Sequence, residues 1–440
     1  YNSASNAITN FLHLSIMETT TYKRSKTTDF FYKLSYIVYF FGLPNFWLED
    51  LKLSKRFVRF YNKFTDFNNG LIYALILFEL GSFFKQTNLT QKQKSNLLLY
   101  ALSHPMLCSF RVMMATLQDK VKLVMYNLTV GLKMVHNDPE VERQMLRSTY
   151  MYLFALLFSC ILSMLMYAAE AVWEVIRYDV TFTTLVTAYP DVEDRSDLAN
   201  VVRALCFIVW WIFLTRIVGV YILVISLTTC LSHQYKNLQS YFSSLNDIFE
   251  RGDLSQAEKE EKYETGIKVG IQLHSDTLRC TQQTQTVCRG VFSGQIIFNI
   301  CLLVVLMAQM ANSERTLVNL CAAVFTACAV LISTGFYMWN AGDVTVEASH
   351  LGTAIYFSGW HNCQGWSSVR VRKLIVITMC HAQRPVLLKG LGYIELSYQS
   401  YIRVSISFLN YTYITQQTLR TGIHIHTRVI LTLASLYLIY

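Results

Sequence analysis

Charge is scarce in this chain. Only 15% of its 440 residues are Asp, Glu, Lys or Arg, against about 25% in ordinary soluble domains, and 53% are hydrophobic. A composition so poor in charge excludes a single soluble globule of ordinary type and points to a multi-span membrane protein. Other absences narrow the reading further. There is no clustered set of His, Asp and Glu, no nucleophile elbow and no phosphate-binding glycine loop, which argues against an enzyme. The 11 cysteines include no CxxC pair and no metal-ligand spacing, so they read as small buried hydrophobes rather than as ligands or a redox pair; no metal and no cofactor is expected. Internal repeats and low-complexity tracts are missing, which sets aside solenoids. No short apolar segment with a small-residue cleavage site follows Met17, so the first span is expected to serve as its own membrane anchor.

Long apolar stretches are what the chain does have. A membrane helix needs about 20 mainly apolar residues, and seven candidates stand out, roughly at 69–84, 97–117, 150–173, 201–230, 291–311, 317–339 and 394–417. The first is short and carries Glu79, and the second contains Pro105, a kink position. The net charge of +9 is spread over several loops and not gathered on one basic face, so nucleic acid is not the expected partner. Sorting of Lys and Arg to the inner loops explains it when the amino terminus is placed in the cytoplasm, which leaves the carboxy terminus outside. Residues 174–200 then form an outer loop rich in Asp and Glu, an acidic lid. The polar segment 232–289 has helical spacing and is expected to prolong the fifth span into the cytoplasm. Residues 348–381, with Tyr356, Trp360 and Trp366 among charges, read as a cytoplasmic helix with an aromatic stripe.

The richest stretch is RPVLLKGLGYIELSYQSYIRVSISFLNYTYITQQ, residues 384–417. Pro385 and Gly390 end the preceding helix. From Ile394 onward, apolar residues alternate with Ser, Thr, Asn and Gln, so this span is expected to face water or other helices rather than lipid alone. Together with AIYFSGW (354–360) and the RPVLLKGLG turn, it resembles the carboxy-terminal signature of insect odorant receptors, and the likeness extends over 17–417 in length and span order. A gustatory receptor shares the architecture; Tyr411 and Gln417 fit its signature spacing, but Asn410 and Thr418 do not. A transporter would call for repeated halves with broken midplane helices.

The resemblance implies an all-α membrane protein with seven transmembrane helices and a cytoplasmic anchor helix before the last span. It implies an odour-gated, non-selective cation channel subunit in the plasma membrane of olfactory sensory neurons, a ligand-binding chain assembled with the odorant co-receptor as a heterotetramer. Aligned from the end, Tyr411, Ile414 and Gln417 fall on the family's pore positions: Ile414 suits a dewetting gate, and Gln417 can replace part of an ion's hydration shell. Phe408, Leu409 and Asn410 stand where many members have Ser-Tyr-Ser. Tyr356 and Trp360, four residues apart, would share a helical face as a subunit anchor. For a small volatile, the candidate pocket residues in the outer halves of the spans are Tyr100, Ser103, His104, Met164, Tyr167, Ala168, Leu205, Ile208 and Phe325; each taken alone also fits ordinary helix packing.

Among ionisable residues near span ends, Arg111 and Arg216 are expected to snorkel toward the cytoplasmic surface, and Arg403 to meet an inner vestibule. Asn88–Thr90 forms a glycosylation sequon on an outer loop; Asn127–Thr129 forms another on the inner side. The chain thus divides into a translated leader (1–16, before Met17), a cytoplasmic segment (17–66), a six-span bundle with the pocket (67–339), an anchor domain (340–392), the pore helix (393–417) and a non-native tail (418–440). His424 and His426 in that tail make an isolated pair too sparse for a metal site.

Overall fold

The structure, a computed structural model, describes residue 22 and residues 24–312, 317–365, 368–403 and 406, and helices account for nearly all of it. In chain order these are α1 (Lys26–Phe40), α2 (Lys55–Lys85), α3 (Gln91–Thr116), α4 (Gln118–Tyr126), α5 (Pro139–Tyr178), α6 (Asp197–Ser244), α7 (Gln256–Asn312), α8 (Leu317–Tyr356) and α9 (Ser368–Ala382). A π-helical turn (Asn127–Gly131), short helical turns and one small hairpin join them. Among the described residues, α2, Gln93–Thr116, α5 and Asp197–Glu250 are long and apolar enough to cross a membrane.

Helix starts follow from local capping. Ser25 and Thr28 form a reciprocal box at α1, Thr90 and Gln93 do the same at α3, and Asp138 accepts from Glu140 N ahead of Pro139 at α5. The loss of one backbone donor at Pro105 does not end α3, which runs through it unbroken.

The bundle is organised around α6. In its most apolar stretch 67% of residues are buried, against 22% for α5; α6 is therefore the axis, and α5 presents most of its surface outward. The described part of the amino-terminal segment 17–66 packs into the bundle. The helix α1 buries Phe30, Phe31, Leu34 and Val38 in the main core, and the Glu142 carboxylate of α5 accepts from Thr27 N at 2.8 Å and Thr27 Oγ1 at 2.7 Å. The sequence gives no span-length signal there because α1 is only 15 residues long.

Both long helices near the carboxy end extend beyond their apolar stretches. As expected, the polar segment after residue 255 is continuous with the fifth span, in a single 57-residue helix. Helix α8 continues past 339 to Tyr356, and the expected single helix over 348–381 is divided in two. Gly359 has φ +92, and a Cβ there would meet Asn246 Oδ1 at 2.5 Å. The Trp360 indole N–H turns back to Tyr356 O at 2.9 Å. Tyr356 thus ends α8 and Trp360 opens a 3-10 turn, so they do not share a face of one helix; their rings meet edge to face across the break, 6.3 Å apart.

The Pro and Gly turn is a hairpin pairing Lys389–Gly390 with Ile394–Glu395. It is fixed to α7 by Gln285, which donates to Lys389 O (2.7 Å) and accepts from Lys389 N (2.8 Å). The last helix consequently begins at 398 rather than at Ile394, with Ser397 Oγ accepting from Ser400 N at 3.2 Å. The acidic loop folds back over the ends of α2 and α6. Gln86 donates to Thr187 O and Pro190 O, and the Arg203 guanidinium donates to Asp191 O and Asp194 O, each at 2.7 Å.

Gly42, after α1, has φ +80, and a Cβ there would stand 2.8 Å from Arg216 Nε. Replacing Gly42 by Ala is expected to destabilise the bundle by about 1–3 kcal/mol through left-handed backbone strain and displacement of the arginine. Gly70→Ala, where nothing lies within 4 Å of the added methyl, is the control. Thermal unfolding of the detergent-solubilised protein compares the two.

Candidate functional site

Helices α3, α5, α6, α7 and α8 line a partly open cavity of about 150 Å³. Its walls are mostly apolar and aromatic, and five of the anticipated residues line it: Tyr100, Ser103 and His104 from α3, and Met164 and Tyr167 from α5. The remaining four are not part of the lining. Leu205 and Ile208 lie on the opposite side of α6, 55% and 54% exposed. Ile208 instead borders an open groove of about 540 Å³ with Val175, Phe182 and Phe207. Ala168 lies one turn beyond the lining residue Met164, and Phe325 is offset by one residue from the lining Thr326.

The residues that α6 does contribute are Trp210, Leu214, Ile217, Val218 and Tyr221, a run at i, i+4, i+7, i+8 and i+11 that marks one helical face. Phe298 and Leu302 bring α7 into the lining, and Thr326, Ala329, Val330 and Ser333 bring α8.

One wall is held by a buried polar chain. The Glu79 carboxylate of α2 lies 2.7 Å from His104 Nδ1, and the Trp210 indole donates to His104 Nε2 at 3.1 Å. An indole N–H only donates, so Nε2 must accept. This assigns the imidazole as neutral, with its proton on Nδ1 directed at Glu79. Tyr100 stacks on that imidazole, with centroids 5.0 Å apart and planes at 18°. The Tyr100 hydroxyl is buried and has no hydrogen-bond partner.

A second chain crosses the cavity floor. Tyr221 donates to Gln295 Oε1 at 2.7 Å, Gln295 Nε2 donates to Asn299 Oδ1 at 2.9 Å, and Asn299 donates to Thr334 Oγ1. It ties α6 to α7 and α8 directly beneath the lining residues Tyr221 and Ser333.

Arg111 and Arg216 do not snorkel. Arg216 is 3% exposed, donating to Asn69 Oδ1 and Thr65 O on α2. Arg111 is 9% exposed and donates to the Tyr73 hydroxyl at 2.8 Å. Partners on α2 hold both inside the bundle. Arg403 is exposed at the start of the last helix.

Beyond the apolar stretches, α7, α8 and α9 form a polar assembly. The buried Glu260 carboxylate accepts from Gln364 N (2.7 Å) and Gly365 N (2.9 Å), fixing the loop before α9. The Lys268 ammonium and the Arg370 guanidinium hold the Glu264 carboxyl below its ordinary range. The outer side of α9 exposes Val369, Val376 and Ile377, and Tyr356 and Phe357 at the end of α8 are exposed as well. Tyr411, Ile414 and Gln417 lie outside the described residues, as do His424 and His426. Among the described residues no group of His, Cys, Asp and Glu could hold a metal ion.

The long apolar helices and the largely apolar cavity between five helices of the bundle define a helical protein of multi-pass membrane type. The family profile described as 7tm Odorant receptor matches residues 97–406, and the chain belongs to that family. It is not an enzyme. The fold is similar to that of the insect olfactory receptor OR5 from Machilis hrabei in complex with eugenol, at a TM-score of 0.73 and 14% identity, covering 89% of this chain and 98% of that one. The structure of the same receptor described without eugenol gives a TM-score of 0.71 at 15% identity, with 89% and 98% covered. No curated protein matches the sequence significantly.

Removing one member of the Glu79–His104 pair leaves the other buried without its partner. His104→Leu is expected to cost about 3–5 kcal/mol, and Glu79→Gln, which keeps an acceptor, much less. The double replacement Glu79→Leu with His104→Leu should recover most of the loss. Thermal stability across this mutant cycle measures the coupling.

Proposed function

We propose that this odorant receptor is the ligand-sensing subunit of an odour-gated, non-selective cation channel, assembled with the odorant co-receptor as a heterotetramer in the plasma membrane of olfactory sensory neurons. The observation that carries this reading is the aromatic-lined cavity between α3, α5, α6, α7 and α8 in a chain of this family. Such a space holds a small volatile by dispersion and area burial. The relative solved in complex with eugenol supports a small-molecule ligand for this fold.

Helix α8 supplies a route from cavity to pore. It lines the cavity with Thr326, Ala329, Val330 and Ser333. Further along, Trp339 packs on Tyr401 with centroids 5.3 Å apart, and Asp343 accepts from the Tyr398 hydroxyl. Both tyrosines belong to the first turn of the last helix. A ligand that shifts α8 would therefore shift the base of the helix that carries Tyr411, Ile414 and Gln417. In this reading Ile414 closes the pore by dewetting, Gln417 lies just outside it, and Tyr411 sets their packing. The amino terminus is cytoplasmic and the carboxy terminus extracellular. The polar assembly of α7–α9 forms the intersubunit anchor, with the exposed Tyr356 ring, the partly buried Trp360 ring and the apolar side of α9 meeting the neighbouring subunit.

The decisive experiment expresses the chain with and without the co-receptor and records currents under a panel of volatiles. Fast currents that need both chains are expected; slow responses abolished by blocking G proteins would overturn the reading. Ile414→Ser should raise the resting leak, and an unchanged baseline removes that side chain from the gate. Trp360→Ala should lower the yield of tetramers on native gels while leaving the volatile concentration for half-maximal response in the surviving channels within about twofold, since rim contacts carry little of a distant site's affinity.

A further inference from the structure

The open groove between the end of α5 and the start of α6, about 540 Å³ in volume, shares no lining residue with the cavity. Phe182, Ala204, Phe207 and Ile208 give it apolar walls, and its two charged residues are Asp179 and Arg195. The Arg195 guanidinium donates to the Asp179 carboxylate at 2.8 Å and to the Asp179 carbonyl at 2.6 Å, and both side chains stay largely exposed. Phe182 meets Phe207 edge to face at 5.2 Å. The Phe207 ring is in turn 5.5 Å from that of Trp210, which lines the cavity.

The surrounding surface identifies the medium this groove meets. Val172 and Ile176 on α5, with Val201 and Leu205 on α6, are exposed apolar residues on helices long and apolar enough to cross a membrane. Trp173 and Tyr178, in the last turns of α5, are exposed as well, and such aromatic residues collect at the level of lipid headgroups. Asp179 caps α5, and Arg195 stands just before α6. The groove therefore has apolar walls within the spans and an ion pair just beyond their ends, matching the boundary between acyl chains and headgroups.

We propose that this groove is a binding site for one zwitterionic phospholipid. An acyl chain lies against Phe182, Phe207 and Ile208, the phosphate meets Arg195, and the ammonium meets Asp179. Burial of the chain supplies non-directional attraction. A guanidinium carries five N–H donors, so its two bonds to Asp179 leave donors for a phosphate oxygen, a charge-assisted contact. The paired charges complement a headgroup that also carries one charge of each sign. An anionic headgroup fits less well, because residues 174–200 hold six Asp and Glu against two Arg and repel excess negative charge. A lipid in place backs the aromatic wall of the cavity through Phe207 and Trp210, whether or not the chain conducts ions.

The test titrates the full chain, purified in detergent, with phosphatidylethanolamine, phosphatidylglycerol and diacylglycerol of identical acyl chains, and counts bound lipid by native mass spectrometry. Phosphatidylethanolamine should occupy one site, about three- to tenfold more tightly than diacylglycerol, the range expected of a charge-assisted hydrogen bond at a partly exposed position. It should also raise the temperature of unfolding. Arg195→Gln should abolish the preference, and Arg195→Lys, which keeps the charge, should retain part of it. Ala204→Trp, which fills the groove from an exposed position, should weaken phosphatidylethanolamine and diacylglycerol alike.

Tighter binding of phosphatidylglycerol than of phosphatidylethanolamine would overturn the zwitterionic assignment. A wild-type chain that does not distinguish phosphatidylethanolamine from diacylglycerol, or a preference that survives Arg195→Gln, would overturn the headgroup site. If Ala204→Trp changes the mass of the assembly and leaves lipid binding intact, the groove is a contact between protein chains and the proposal fails.

Discussion

Polar groups inside an apolar bundle must find their partners within the protein, and this constraint shapes the molecule more than any other. Glu79, Arg111 and Arg216 are three ionisable residues within apolar helices, and each is held from a different helix. Glu79 of α2 takes the proton-bearing face of His104 on α3, while Trp210 of α6 occupies the other face. Arg216 of α6 reaches Asn69 and Thr65 of α2, and Arg111 of α3 reaches Tyr73 of α2. Apolar contact alone sets only loose preferences between helices in lipid. These directional bonds fix how α2, α3 and α6 are rotated about their axes, and that rotation decides which side chains border the cavity.

The same constraint connects the cavity with the rest of the chain. The bonds from Tyr221 through Gln295 and Asn299 to Thr334 bind α6, α7 and α8 just below it. Helix α8 then continues as one rigid element to Tyr356, passing the first turn of the last helix on the way. At Gly342 a Cβ would stand 3.2 Å from the Tyr398 ring, and at Gly335 one would stand 3.3 Å from the Tyr401 ring. Small residues at these two points let the helices approach closely, so a displacement of α8 has little slack to absorb it.

Much of this was legible in the residues. The helical membrane fold, the prolonged fifth helix and the Pro and Gly break before the last helix follow from length, polarity and backbone chemistry, all of which act locally. The faces of the spans were not legible in the same way. Within α6 nearly every position is apolar, and lipid is as apolar as a protein core, so Leu205 and Ile208 could not be told from Trp210 and Leu214 by hydrophobicity. The aromatic character of Trp210, with its polar N–H, was the available signal. Arg216 illustrates a different limit: a position near a span end fits snorkelling, whereas its partner Asn69 is 147 residues away in the chain. The division between Tyr356 and Trp360 depends on Gly359 fitting against Asn246, a tertiary contact that four-residue spacing does not encode.

Satisfaction of polar groups also explains why the cavity is largely apolar. Had all its hydroxyls been left open, water would fill it and an apolar volatile would have to displace bound solvent. Had all of them been paired, only size and shape would discriminate among ligands, and one methyl group more or less changes affinity modestly. Pairing Ser163 with Thr326, Tyr221 with Gln295 and His104 with Glu79 keeps the space largely apolar. The Tyr100 and Tyr167 hydroxyls remain buried without a hydrogen-bond partner, and the Tyr100 ring is held by the same stacked imidazole that the Glu79 carboxylate orients.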